Sequence, residues 1–285
     1  MKQVRACRVG AFVAASLMGV SAPVRVLAVF ARHVYLVVSL REEDRVVILC
    51  PLSEQDGPLC IMLDHWPVWS ELAGQEGFFH NGHIRIGPYD IQVGDAAVWP
   101  SAIATLSDSA VCLRQKLTET ARLLVHGSDL LSSVLGACDP SALPSYALSQ
   151  LAAGIRRGDA SLLRKGAAEL AGLGIGLTPA GDDFLCGLML AAWFFLPDPV
   201  RVCAPLLEGA RGATTTLSFA FLNAASKGHA SSVWCACLRE LKNTRTNTVL
   251  QEHMTRIVAY GATSGADSLA GFIWGAALME PFCQR

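Results

Sequence analysis

The sequence predicts an α+β protein, with a small β-rich N-terminal domain, barrel or sandwich-like, over 1–108 and a larger, mainly α-helical domain over 109–285. Three observations predict it. Short runs rich in β-branched residues occupy roughly 24–105. An Asn-Gly step sits between two extended stretches, which marks a tight hairpin. After Pro100 the apolar residues change to helical spacing, which puts the domain boundary near 100–112.

The elements follow in chain order. Lys2, Arg5 and Arg8 precede the apolar GAFVAASLMGV, and Val20-Ser21-Ala22 imitates a signal-peptidase site. The cysteine usage looks reduced, so this segment is expected to be a first helix or strand of the fold. VRVLAVF, VYLVVSL, RVVILC and LCIML are the next strands, separated by charged or Gly/Pro-containing breaks. In FFHNGHIRIG, Asn81-Gly82 predicts a type I′ turn. His80 and His83 flank that turn and can bind a metal together, although turn-flanking histidines are more often simply exposed, and Arg85 reads as an exposed strand residue. Leu113, Leu117, Ala121, Leu124, Ser128 and Leu131 then fall at helical spacing, and similar periods recur through 145–171, 182–196, 214–226 and 247–281.

Composition narrows the function. The chain is 52% hydrophobic and 16% charged with a net charge of -1, so it has neither a basic nucleic-acid footprint nor an acidic tail. Small molecules and other protein surfaces are the expected partners. A mean hydropathy of +0.38 fits either a large helical core or a surface covered in an oligomer. No apolar run reaches the roughly 18–20 residues of an uninterrupted membrane span. The ten cysteines are scattered, many in apolar runs, and none forms a CxxC pair. Cys235 and Cys237 are close, yet a lone CxC is weak evidence for zinc, and core packing is the preferred reading.

The stretch GLGIGLTPAGDDFLCG, residues 172–187, carries the chemistry. It lacks the Gly-Lys-Ser/Thr ending of a phosphate loop, and a helix rather than a strand precedes it, which disfavours a dinucleotide fingerprint. It reads as a glycine loop before a helix with Thr178 as N-cap and Pro179 as first helical residue. Asp182 and Asp183 lie in the first turns, where the helix dipole favours a carboxylate by roughly 0.3–1 kcal/mol. A motif G-x-D-x-L-x-G in Gly181–Gly187 is echoed 84 positions later in Gly265–Gly271, preceded by Gly261-Ala262-Thr263-Ser264. Each acid begins a ridge of small residues: Asp183, Gly187, Ala191 and Asp267, Gly271, Gly275. Helical glycine costs about 1 kcal/mol relative to alanine, so its repetition predicts a close crossing of two helices whose starts open on one pocket.

A third helix start, Gly212-Ala213-Thr214-Thr215-Thr216-Leu217-Ser218, offers more hydroxyls, with simple N-capping as the plainer account. Free N–H groups and hydroxyls suit an anion or a carbonyl oxygen. Carboxylates suit an amide NH₂, a cationic group or a magnesium ion. The candidate catalytic residues are therefore Asp183 and Asp267. The candidate binding residues are Gly174, Gly176, Thr178, Gly181, Asp182, Thr214, Thr215, Ser218, Thr263, Ser264 and Gly265.

GLGIGLTPAGDDFLCG, TTTLSFAFLNAASKGH and GATSGADSLAG together resemble the three signature stretches of the AllH-like family. That family includes the H subunit of the oxamate carbamoyltransferase of anaerobic allantoin degradation. Ala180 stands where the family's first motif usually has serine, which removes a hydroxyl at that position. The resemblance implies an intracellular transferase subunit in purine catabolism that moves a carbamoyl group between carbamoyl phosphate and oxamate, with oxalurate on the other side, alongside other subunits. Carbamoyl transfer needs an anchored phosphate, a polarised carbonyl and a placed amide nucleophile. Helix starts can supply the first two, and Asp183 or Asp267 can orient the amide or act as base. The same acids repel an unscreened phosphate, which leaves open a bound cation such as magnesium or a non-phosphate ligand. The alternative is a noncatalytic binding or scaffolding subunit whose glycine ridges are packing devices and whose acids are caps.

Overall fold

A computed structural model describes residues 1–17, 19–40, 43–54, 56–103, 113–122, 129–134, 143–243 and 247–279. Contacts divide the chain into two compact units, Met1–Ala102 and Ile103–Arg285. The expected boundary at 108/109 lies outside the described residues, as do Leu124 and Ser128 of the predicted periodic series.

The first unit is a barrel. Its strands are β1 (Lys2–Gly10), β2 (Ala22–Val29), β3 (Val34–Ser39), β4 (Asp44–Pro51), β5 (Cys60–Leu63), β6 (Glu76–His80), β7 (His83–Ile86), β8 (Tyr89–Gln92) and β9 (Ala97–Trp99). In the order β5-β4-β3-β2-β6-β7-β8-β1 each strand bonds its neighbour, and β1 also pairs with β5, so eight strands close a ring. β9 continues the sheet beside Arg8–Gly10. Bulges interrupt β1 between Ala6 and Arg8 and β2 between Val26 and Ala28, and such bulges add the bending that closure requires. Alternation puts Val4, Val24, Leu36, Phe79, Ile84 and Ile91 inside, all buried. The N-terminal segment is both expected things: strand β1, then the helix α1 (Ala11–Leu17). The Asn81-Gly82 turn is left-handed at both residues, φ 48° and 77°, as a type I′ turn demands.

The second unit is helical: α2 (Leu113–Arg122), α3 (Asp129–Val134), α4 (Ser145–Arg157), α5 (Ala160–Leu170), α6 (Ala180–Phe195), α7 (Val200–Ala210), α8 (Thr216–Ser226), α9 (Ser232–Asn243), α10 (Asn247–Val258) and α11 (Ser264–Met279). The predicted 145–171 period is broken at Gly158, which is left-handed, with Asp159 capping α5 through Ser161 and Leu162 N–H. The 247–281 period is likewise two helices. The core gathers Phe184, Leu188, Phe194, Phe272 and Trp234 around α6 and α11, which are apolar on nearly every side and therefore central. Among the described residues, no helix is long and apolar enough to cross a membrane.

Every described cysteine is a free thiol. Burial pushes Cys235 up to about 11 and Cys237 up to about 12, so this pair on α9 keeps its protons and packs rather than offering thiolates.

Candidate functional site

The two echoed motifs build one reciprocal joint. A Cβ added to Gly187 would lie 1.8 Å from the Ser268 carbonyl oxygen, and one added to Gly271 would lie 1.9 Å from the Phe184 carbonyl oxygen. Ser268 and Phe184 occupy the same place in the two copies of the motif, so each helix gives its partner the same seat. Gly275 continues the contact against Leu188 and Ala191. The helices run parallel, and their starts meet where Thr178 and Ser264 share a hydrogen bond of 2.9 Å between hydroxyls. The predicted close crossing is thus present, built by glycines that leave no room for a side chain.

The leading glycine of each motif has the same job at a different surface. Gly181 sits on the Leu170 carbonyl oxygen, 2.0 Å from an added Cβ, and Gly265 sits on that of Ile257 at 1.7 Å. Their N–H groups donate to Leu173 and Tyr260 carbonyls. Both are packing positions at the ends of the preceding helices, with no N–H left over for a ligand.

Asp182 is a knot. Its carboxylate accepts from the Gly172 N–H at 3.1 Å, from the Ser218 hydroxyl at 2.8 Å and from the Thr214 hydroxyl in a still shorter contact. It is 1% exposed, so those three bonds satisfy a charge that would otherwise be costly to bury. The knot ties the glycine loop to the start of α8, and it uses up Thr214 and Ser218. Thr215 caps α8 by accepting from the Ser218 N–H at 3.1 Å and donates its own hydroxyl to the Leu177 carbonyl at 3.0 Å. The N-cap of α6 is Pro179 rather than Thr178. Pro179 is extended, with φ −57° and ψ 147°, and its carbonyl takes the Asp182 and Asp183 N–H groups, which frees Thr178 for Ser264.

The loop is held open by its glycines. Gly172, Gly174 and Gly176 all have positive φ, at 76°, 122° and 99°. Gly174 lies over the Ala180 N–H, 2.8 Å from an added Cβ, whereas Gly176 faces open space. The intervening Leu173, Ile175 and Leu177 point outward, Ile175 at 96% exposure. Thr263 is exposed on the loop before α11, and its carbonyl accepts from the Asp267 N–H at 2.9 Å. Sequence reasoning passed over Gly172, the donor that binds the loop to Asp182. Its signal was available, since it opens the glycine run and its left-handed turn brings an added Cβ within 2.4 Å of the Ala213 carbonyl.

Asp183 and Asp267 stand beside each other where the two helix starts meet. Burial, with the neighbouring Asp267 and Asp182 charges adding to it, pushes Asp183 up to about 8 against the pull of the Ser264 and Thr178 hydroxyls. Its Oδ2 is enclosed and has no hydrogen-bond partner. Asp267 is 2% exposed. The arrangement is two close carboxyl groups, one of them inclined to hold a proton at neutral pH, at the positive ends of two parallel helices.

No solved structure matches the chain. Residues 170–276, the stretch that runs from the end of α5 into α11 and carries all three motifs, are similar to the family whose model is described as oxamate carbamoyltransferase subunit AllH.

Proposed function

We propose that the chain is a subunit of a carbamoyltransferase acting on oxamate or oxalurate and carbamoyl phosphate, and that its polar small-molecule site is the joined starts of α6 and α11. The observation that carries this reading is the carboxyl pair Asp183 and Asp267, set side by side with Asp183 shifted up to about 8. A base that titrates near the working pH is best placed to take a proton during reaction. In the forward direction the oxamate amide nitrogen attacks the carbamoyl carbon, the bond from that carbon to the phosphate oxygen breaks, and its electron pair leaves on phosphate. Ionised Asp183 accepts the proton that the amide nitrogen sheds, while Asp267 holds the NH₂ group in line. The hydroxyls of Thr178 and Ser264, which bond each other across the two helix starts, would turn to bond the carbamoyl oxygen.

Proton uptake by Asp183 also eases the conflict with phosphate, because one of the two repelling charges disappears as the phosphate leaves. A protonated carboxyl is a poor magnesium ligand, which favours a hydrogen-bonding ligand over a metal at this pair. Asp182, Thr214, Ser218, Gly181 and Gly265 take supporting roles: they fix the loop and the helix starts. Other subunits complete the enzyme, and the outward-facing Leu173, Ile175 and Leu177 offer them an apolar contact next to the site.

The test uses the chain with its partner subunits and measures carbamoyl transfer, together with calorimetric titration of carbamoyl phosphate, oxamate and oxalurate with and without magnesium. Asp183→Asn and Asp267→Asn are expected each to abolish transfer while folding and assembly persist. Near wild-type rates in both variants would refute the catalytic assignment and leave a noncatalytic scaffolding subunit.

A further inference from the structure

On the barrel, far in sequence from the acidic pair, two histidines are arranged as ligands. His80 ends β6 and His83 begins β7, and they are direct partners across the hairpin. Opposed residues of an antiparallel pair share a face, with Cβ atoms roughly 4.5–5.5 Å apart. Their neighbours Phe79 and Ile84 point into the barrel, at 3% and 0% exposure, so both imidazoles are on the outer face.

What orients the rings is on either side of the pair. Nδ1 of His80 hydrogen-bonds the Ser21 hydroxyl at 2.6 Å, on the side of β2, which pairs with β6. Nδ1 of His83 hydrogen-bonds Asp90 Oδ1 at 2.8 Å, on the side of β8, which pairs with β7. The two Nδ1 edges therefore face away from each other, and the opposite edges, which carry Nε2, face inward across the hairpin. Asp90 is itself fixed: its side chain is 10% exposed, Gln3 bonds its second oxygen at 3.4 Å, and Gln92 in turn bonds Gln3 at 3.2 Å. A histidine whose Nδ1 is held by a carboxylate or hydroxyl, with Nε2 presented to a second histidine, is the arrangement that outer-shell partners create around imidazole-bound metals.

We propose that His80 and His83 form a two-histidine site for a divalent transition-metal ion of the zinc class, bound through both Nε2 atoms, with Asp90 and Ser21 fixing the tautomers. Imidazole prefers zinc, copper and nickel to the hard cations magnesium and calcium. Among the described residues, no three His, Cys, Asp or Glu side chains stand together to hold a metal. Two protein ligands therefore leave the remaining coordination positions to water or to an incoming carboxylate, as open rather than closed metal sites do.

The experiment is calorimetric titration of the full chain with zinc, repeated for His80→Ala/His83→Ala and for Asp90→Asn, with magnesium as the comparison ion and circular dichroism to confirm folding. The expected result is one zinc equivalent that disappears in the double histidine variant, is weakened by about 10- to 100-fold in Asp90→Asn, and is not matched by magnesium. A copper-loaded sample should show two nitrogen ligands by electron paramagnetic resonance, and that signature should vanish in the same double variant. Absence of zinc binding to the folded chain overturns the proposal. So does binding that survives loss of both histidines, which would place the metal on thiols.

Discussion

Asp183 couples the proposed chemistry to stability. Its proton is held up to about pH 8 in the folded chain, whereas an unfolded aspartate loses it near 3.8. Between those values the folded state binds more protons than the unfolded one, so stability falls as pH rises through this window; the contribution is complete below the lower value and gone above the upper. Asp183→Asn removes the titration. Its unfolding free energy should change less between about pH 4 and pH 8, and near pH 8 it should exceed wild type by roughly 1–3 kcal/mol, measured by denaturant unfolding across pH. A steeper pH dependence in the variant than in wild type would contradict the raised titration. At this scale the sequence was partly legible. It marked both adjacent acids, but nothing in the letters separates Asp182, saturated by Gly172, Thr214 and Ser218, from Asp183, whose Oδ2 is enclosed without a partner. The difference arises from which way each side chain leaves the first turn. The cap shift from Thr178 to Pro179 has a similar origin, because Ser264 lies 86 residues away in sequence and claims the threonine hydroxyl.

At the scale of elements, the echo between Gly181–Gly187 and Gly265–Gly271 was visible in the letters, and its meaning is the reciprocal seat between α6 and α11. Backbone carbonyls cannot move aside as side-chain ends do. Gly187→Ala or Gly271→Ala should each destabilise the chain by about 3 kcal/mol or more, read as a fall in the urea midpoint. Because the two seats are equivalent and adjacent, separating the helices for one methyl partly accommodates the other, so the double variant should cost less than the two single costs combined. An alanine that leaves the midpoint unchanged would refute the close approach. Two helices escaped the pattern reading for local reasons. Pro205 inside α7 removes an N–H and reads as a breaker. In α9 the buried stripe Trp234, Cys237, Leu238 and Leu241 has helical spacing, but it spans barely two turns and is interrupted by Arg239 and Glu240, so its period is short.

At the scale of the molecule, the change of texture after Pro100 separated strands from helices, and the hairpin at Asn81-Gly82 was plain. Closure of the ring was not, because it depends on β1 meeting β5 and β8, partners about 50 to 90 residues away that carry no mutual signature in the chain. Met1–Ala102 has its own buried interior and its own contacts. A segment spanning 1–102 is expected to fold by itself, with a cooperative melt and a β-type circular dichroism spectrum, as compact units do. A gradual, non-cooperative melt would show that this unit depends on the helical one.

The closed ring also restricts how anything can attach to the barrel. A foreign peptide that binds by adding itself to a sheet needs a row of unused N–H and C=O groups, and in strands β1 to β8 the ladder takes up most of those rows, with short stretches such as Asp44–Val47 lying outside the β4–β5 pairing. Among the described strands, β9 stands at the end of the order, with Val98 58% exposed. Strand addition to the barrel is thus limited to short stretches, with the three-residue margin Ala97–Trp99 at the end of the strand order. A partner that needs a longer contact with this unit must make it through side chains and turns.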